Sequence, residues 1–341
     1  MECHGMGRKR IAKQRMEVKG EMADHGNAVL LPTDFYSYFF RNLTAWLRAL
    51  QIFKGYEMNM DPAQLLKYLQ FGMIGTAFLT FAATMTINAP YGRYSAAKGW
   101  GPLIPARFAW FMMECPNLII PPAVYIHYST PECAHNYSNS ILMSLFVMHY
   151  VNRTILYPLR MPKGTSPMPL SVALMAFFFT SWNGLMQALS LGIVNCNTTQ
   201  EGTPGGFKAR FNFGVLVFFV GFIINFHADS LLLRLRKGGA TSSSKKNSVS
   251  GSGAGAAATG VKQYSIPHGG MFEYVSCANY FGEILEWTGY AIASGTWAGL
   301  AFALYTFCNV GPRGYHHHLW YLTKFEDYEN LGRKAVIPFV W

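Results

Sequence analysis

Seven apolar stretches of membrane-spanning character, at 68–89, 106–127, 141–159, 169–194, 212–233, 279–294 and 295–311, leave few folds open to this chain. Hydrocarbon offers no partner for backbone N–H and C=O groups, so such segments cross a bilayer as helices whose hydrogen bonds close internally. A crossing takes about 20 residues; the last two stretches are shorter and read as a tight helical pair or a partly re-entrant one. Composition agrees, since only 13% of the 341 residues are charged against about 25% in an ordinary soluble domain. The expected fold is all-α, a polytopic membrane protein. Residues 35–54 are rich in aromatics but carry Arg41 and Arg48, and read as an amphipathic helix lying in the membrane interface.

The net charge of +11 raises the question of nucleic acid, but no basic face interleaved with aromatics is present. Lys and Arg collect instead in the N-terminal tail and in loops between apolar runs, where they suit anionic lipid. Loop 128–140 holds neither, whereas loop 90–105, the loops after 159 and 233, and the C-terminal tail hold several. The positive-inside rule places those four, with the C-terminus, in the cytosol. The basic N-terminus runs against this, because seven spans put it opposite the C-terminus. Residues 238–262 are a Gly/Ser/Ala-rich linker expected to be disordered, and the GAGAAA within it, lacking a preceding strand, is a compositional accident. The organisation is thus a polar and amphipathic extension at 1–60 followed by a membrane domain at 61–341.

Six scattered cysteines show no zinc-like spacing. Most read as free thiols, but Cys133 and Cys196 fall in loops on the same, non-cytosolic side and could pair. Sequons at Asn136 and Asn197 lie on that side as well.

Ionisable residues at membrane depth are costly and point to function. Glu114 sits in the middle of WFMMECP; desolvation there favours the neutral carboxyl, which can donate a hydrogen bond. A snorkelling carboxylate paired with one Arg is the plainer alternative. In MHYVNRTILYPL, Tyr150, Arg153 and Tyr157 follow i, i+3, i+7 spacing beside His149 and share a helical face; interfacial anchoring explains Arg153 and Tyr157 equally well. Asn225 and Asp229 are i, i+4 partners with Arg236 beyond them, an amide and a carboxylate that suit a nicotinamide or ribose and a cation that suits a phosphate. Asn279 and Glu283 repeat the i, i+4 pattern, with Glu286 three further on. The run His316, His317, His318 looks like a metal site, yet consecutive side chains diverge by about 100° on a helix, so no metal is expected. Together the polar groups describe a cavity inside a helical bundle, open to the cytosol. Two classes follow: an intramembrane enzyme that uses a soluble anionic cofactor on a lipophilic substrate, or a transporter. Transporters of this size carry internal repeats and paired broken helices, and neither is visible.

The C-terminal FCNVGPRGYHHHLWYLTKFEDYENLGRKAVIPFVW resembles the steroid 5α-reductase (3-oxo-5α-steroid 4-dehydrogenase) family. So do, in order, APYGR, GWGP, AWFMMECP, HYVNRTILYPLR, INFHADSLLLRLRK and YSIPHGGMFEYVSCANYFGEILEW, which together run from 89 to 341. APYGR, GWGP and Met113 look most like the plant brassinosteroid-pathway members. The resemblance implies a seven-helix bundle in the endoplasmic reticulum membrane, with NADPH in a cavity open to the cytosol and a Δ4-3-oxosteroid as substrate; a monomer is expected. By matching motif positions, Tyr150 and Glu114 resemble the pair that polarises the C3 carbonyl. Asn225, Asp229, Arg236, Tyr264, Asn279, Glu283, Arg313, Tyr321 and Arg153 resemble cofactor-binding positions, and Tyr91, Trp110 and Trp287 resemble walls of the steroid pocket. The family's EDYPK reads EDYENLG here, with Glu329 in place of the proline. Within the same superfamily the rival readings are a trans-2-enoyl-CoA reductase and a polyprenol reductase.

Overall fold

A computed structural model describes residues 61–87, 92, 99–196, 205–246 and 264–341. The N-terminal extension, Tyr91, the Asn197 sequon and residues 247–263 lie outside these. Helix α1 spans Pro62–Thr86, its proline sitting at the first turn, where the missing N–H is not needed. Helix α2 spans Ala106–Tyr128 and contains Pro116, Pro121 and Pro122. A short α3, Pro131–Ala134, leads to α4, Tyr137–Val151. This helix runs on through a π turn, Asn152–Leu156, into α5, Tyr157–Arg160. Helix α6, Leu170–Leu189, also ends in a π turn, Ser190–Val194. Helices α7, Gly205–Lys246, α8, Ala278–Ser294, and α9, Trp297–Lys324, complete the set. A two-residue antiparallel ladder, β1 (Leu103–Ile104) on β2 (Met168–Pro169), ties the entry of α2 to that of α6.

Each expected apolar stretch coincides with a helix. Three are long and apolar enough to cross a membrane, Pro62–Thr86, Leu170–Val194 and Lys208–Lys237. Of the others, α8 is short at 17 residues, and α2 and α4 carry Glu114, His149 and, just beyond α4, Arg153 within their apolar runs. The last two helices differ in kind: α8 has 17 residues, whereas α9 continues for 28, past the expected end at 311. Helix α7 likewise runs to Lys246, into the segment expected to begin a disordered linker at 238.

Apolar side chains on α1 and α7, among them Phe71, Leu79, Leu216 and Ile223, face outward. A lipid environment accepts such a surface without cost, whereas water would not. The core gathers Phe146, Trp287, Tyr290, Phe218 and Phe302 between α4, α7, α8 and α9. Packing of α7 on α8 is backbone to backbone. A Cβ on Gly221 would strike the Glu286 backbone, and one on Gly282 the Asn225 backbone; Gly214 and Gly289 meet the opposite helix in the same way. These glycines recur every seventh residue on both helices, one side of each. The close seam brings Asn225 and Asp229 of α7 against Asn279, Glu283 and Glu286 of α8.

Cys133 and Cys196 form a disulfide with Cα atoms 4.2 Å apart, so the pairing open to them in the sequence is made. Beside it Asn136 caps α4, accepting from Asn139 N at 3.1 Å and donating to the Cys196 carbonyl at 2.8 Å. The chain after α9 folds back on the segment before α8, with Ser276 N donating to Lys334 O at 2.8 Å and Lys334 N to Tyr274 O at 2.9 Å. The buried Arg333 locks this return by donating to Pro267 O at 2.7 Å and Glu273 Oε2 at 3.2 Å. The Gly269 N–H, with Arg333 behind it, holds the Glu273 carboxyl below its ordinary range.

Candidate active site

The site begins at the π turn. A π turn widens the helix by one residue and is found often at functional positions. Here it begins two residues after Tyr150, so Arg153 and Tyr157 are rotated relative to Tyr150 and do not continue its face with regular α spacing. The rotation aims Arg153 across the bundle. Its Nη1 lies 3.1 Å from Asp229 Oδ2 and its Nη2 3.9 Å from Glu283 Oε2. The guanidinium lies over two adjoining rings, 4.9 Å from the Trp110 centroid and 5.1 Å from that of Tyr157, with the rings themselves 4.8 Å apart. One cation from the π turn thus joins carboxylates from α7 and α8 and an indole from α2.

Glu114 lies within electrostatic reach of Arg153, Glu283 and His149, and Tyr150 within reach of Glu114 and Glu283. The Tyr150 ring is buried against Phe146, His149 and Trp287, with centroid distances of 4.7, 4.9 and 5.9 Å. Among the described residues no hydrogen bond holds the Tyr150 hydroxyl or the Glu114 carboxyl. Among the described residues both groups therefore have uncommitted polar ends, and ring packing holds Tyr150 in place.

On the far side of Arg153 the polar lane continues. Asn225 Nδ2 donates to the Asn279 carbonyl at 2.9 Å, and the Asn279 side chain bonds Asp229. Tyr157 bonds Arg236, and Arg160 bonds Ser230. Tyr280 of α8 lies within electrostatic reach of Arg236 and under Arg313, 5.7 Å from its guanidinium. Tyr280 and His317 share a hydrogen bond at 3.5 Å. Beyond lie Trp320, edge-on to Tyr264 at 5.1 Å, and Tyr321, stacked on Tyr328 at 5.0 Å. The three successive histidines go to three partners, His316 to Thr84 O, His317 to Tyr280 and His318 to Ser276.

The structure therefore brings Glu114, Tyr150, Arg153, Asp229, Asn225, Asn279, Glu283 and Trp110 together. Arg236 joins them through Tyr157, and Arg313 through Tyr280. Tyr264 and Tyr321 stand further along the lane, in the aromatic group at the end of α9. Trp287 sits at the centre of the aromatic core, 1% exposed, with its ring 4.6 Å from those of His149 and Phe302. Tyr280 and His317 were not singled out in the sequence as site residues; only the register of α8 against α9 brings them in. Glu286 pairs with His149 at 2.8 Å.

The model of the 3-oxo-5-alpha-steroid 4-dehydrogenase family matches residues 166–246 and 256–341. Steroid 5-alpha-reductase DET2 of Gossypium hirsutum is 39% identical over 268 residues, 78% of this chain and 93% of that protein. The human 3-oxo-5-alpha-steroid 4-dehydrogenase 1 is 39% identical over 276 residues, 81% of this chain and 94% of its own. The chain belongs to this family. Arabidopsis thaliana DET2 is 38% identical over 260 residues, 75% of this chain, so plant and animal steroid reductases lie at similar distances. For this steroid dehydrogenase, Glu114, Tyr150 and Arg153 precede the segments the family model matches, and their place in the site rests on the helix packing described above.

Proposed function

We propose that this protein is a 3-oxo-5α-steroid 4-dehydrogenase that reduces the Δ4 double bond of 3-oxo-Δ4 steroids at the expense of NADPH. The observation that carries this reading is the meeting of Tyr150 and Glu114, with uncommitted polar ends, beside the Arg153–Asp229–Glu283 cluster. The polar lane fits NADPH in its chemistry. Asn225 and Asn279 offer amides for a carboxamide, Asp229 and Glu283 accept from ribose hydroxyls, and Arg236 and Arg313 offer guanidiniums to phosphates. Arg236 lies roughly 16 Å along α7 from Asn225 at 1.5 Å per residue, so one helix presents both kinds of group. Arg153, the Tyr264 and Tyr321 rings and the Trp110 wall complete the set.

Bound NADPH supplies the hydride that adds to C5 of the steroid. Tyr150 and Glu114 hydrogen-bond the C3 oxygen and stabilise the negative charge that grows there as C5 is reduced. Donors held in place beforehand cost no reorganisation, and each is typically worth about 10²–10³ in rate. A proton then reaches C4, which balances the addition of hydrogen across the double bond. Trp287 and Tyr91 belong to this proposal as walls for the steroid. The same reading takes the chain to be a seven-span protein of the endoplasmic reticulum membrane, with the cavity and C-terminus facing the cytosol. The Cys133–Cys196 disulfide supports that orientation, because disulfides persist on the oxidising side and these loops lie opposite the basic ones.

The test is reduction of a 3-oxo-Δ4 steroid by the full chain in microsomes, wild type against Glu114→Gln. Loss of product at normal protein abundance is expected, and full activity in the variant would overturn the assignment of Glu114.

A further inference from the structure

The reaction above consumes one proton per turnover beside a cluster of aromatic rings, yet neither Tyr150 nor Glu114 can supply protons repeatedly without being refilled. Next to Tyr150 lies a pair that the proposed reaction leaves unused. His149 Nδ1 and Glu286 Oε1 are 2.8 Å apart, and the side chains are 2% and 0% exposed. Glu286 Oε2 is buried without a partner. A carboxylate would leave half its charge on that oxygen, an uncompensated burial costing several kcal/mol. A neutral carboxyl with its proton on Oε1 donates to Nδ1 and leaves Oε2 as a carbonyl-like oxygen, which is far cheaper to bury. With Nδ1 accepting, the neutral imidazole carries its proton on Nε2, and Nε2 makes no hydrogen bond among the described residues. The imidazole is clamped edge-on by Tyr150 at 4.9 Å and Trp287 at 4.6 Å. Charged groups from every neighbouring helix surround it, Glu114 of α2, Arg153 of the π turn, Asp229 of α7 and Glu283 of α8.

We propose that His149 and Glu286 form a proton-holding relay that refills Tyr150, an inference resting on the reductase reading above. When the Tyr150 O–H gives its proton to the reduced substrate, the His149 Nε2–H bond breaks and its proton passes to a bridging water, which gives one of its own protons to the phenolate oxygen; no direct hydrogen bond joins the two side chains, whose rings lie 4.9 Å apart. At the same time Nδ1 takes the proton from Glu286 Oε1. The imidazole ends neutral with its proton on Nδ1, donating to a Glu286 carboxylate, and one proton from water restores the starting state. No electrons move in the relay; the oxidation is that of NADPH and the reduction that of the C4–C5 bond. His149 and Glu286 act through Tyr150 and are positioning residues.

Two measurements on the purified full chain in lipid nanodiscs test this. Infrared difference spectra of the cofactor-free protein at neutral pH, wild type minus Glu286→Gln, are expected to show a protonated-carboxyl stretch; its absence overturns the relay. With saturating steroid and NADPH, Glu286→Gln and His149→Asn are expected to lose about 10²-fold in kcat, the usual weight of a proton-transfer group, with NADPH binding unchanged. In both variants the D2O isotope effect should grow, and that of 4-deuterated NADPH should shrink, because proton delivery now limits the rate. A loss of activity with both isotope effects unmoved marks a structural role and overturns the relay, as does wild-type kcat in both variants. If one variant fails to fold, the other carries the test. Failure of the wild type to reduce any 3-oxo-Δ4 steroid overturns the reductase reading instead, and the infrared band is judged independently of it.

Discussion

Tyr150→Phe separates chemistry from packing more cleanly than any other change in this protein. The ring is 3% exposed and rests on Phe146, His149 and Trp287, and phenylalanine preserves all three contacts. The hydroxyl it deletes has no hydrogen-bond partner among the described residues, so no orphan is created in the protein. Stability should therefore move by no more than about 0.5 kcal/mol, the range for changes that break no named interaction. In the transition state the same hydroxyl is one of two donors to the C3 oxygen, and its loss should lower kcat by about 10²–10³, or roughly 3–4 kcal/mol. The assay is steroid reduction under saturating NADPH, run beside a thermal-unfolding curve of the same preparation. Glu114→Gln and the double variant complete a cycle; because both donors serve one oxygen, the double loss should fall short of the product of the single ones. A variant that keeps more than about a tenth of wild-type kcat, against the loss expected for an oxyanion donor, would refute the assignment of Tyr150. So would a variant whose activity loss is matched by a loss of folded protein.

Other expected outcomes follow from the packing and the charges. Arg153→Leu leaves Asp229 and Glu283 without their shared cation, a loss of about 3–5 kcal/mol for a broken buried pair, and NADPH titration should show binding weakened with it. Gly221→Ala puts a methyl group into the Glu286 backbone across the α7–α8 seam; a cost of about 1–3 kcal/mol from overpacking should lower the unfolding temperature. Because Glu273 is held below its ordinary range, its contribution to the C-terminal return is present above the unfolded carboxyl value and fades as pH falls through the folded one. The residue is half exposed, so the effect is under about 1 kcal/mol, and protease cleavage after Arg333 should rise in acid in wild type but not in Glu273→Gln. The Asn136 amide is engaged on both its oxygen and its nitrogen, so Asn136→Gln should leave the electrophoretic mobility of the mature protein unchanged.

Much of the fold was legible because hydrophobic runs bounded by charged loops have one physical solution in a bilayer, and helices lie at each expected stretch. The disulfide was legible as a possibility for a related reason, since a charge-free loop around Cys133 and the alternation of spans placed Cys133 and Cys196 on one side. The candidate site was legible residue by residue but not as a set. Spacing put Asn279, Glu283 and Glu286 on one side of α8, yet only the glycine seam with α7 decides that the first two meet Asn225 and the Arg153 cluster. The π turn after Val151 has no clear signal in MHYVNRTILYPL, and it is the reason Arg153 departs from the face of Tyr150. Glu286 could have answered any nearby cation; its partner proved to be His149, which sits beside Tyr150 and carried no such signal. The helix beyond 238 exposes a limit of composition, since Gly and Ser argue against helix but a long helix entering from the membrane can carry them.

The most direct measurement is incubation of the full chain in membranes with 4-deuterated NADPH and a 3-oxo-Δ4 steroid, with the product read by NMR. The expected product is the 5α-reduced 3-oxosteroid, deuterium at C5 and a solvent proton at C4. Recovery of unreacted enone, or deuterium at C3 with the double bond intact, would contradict the reaction proposed for this site.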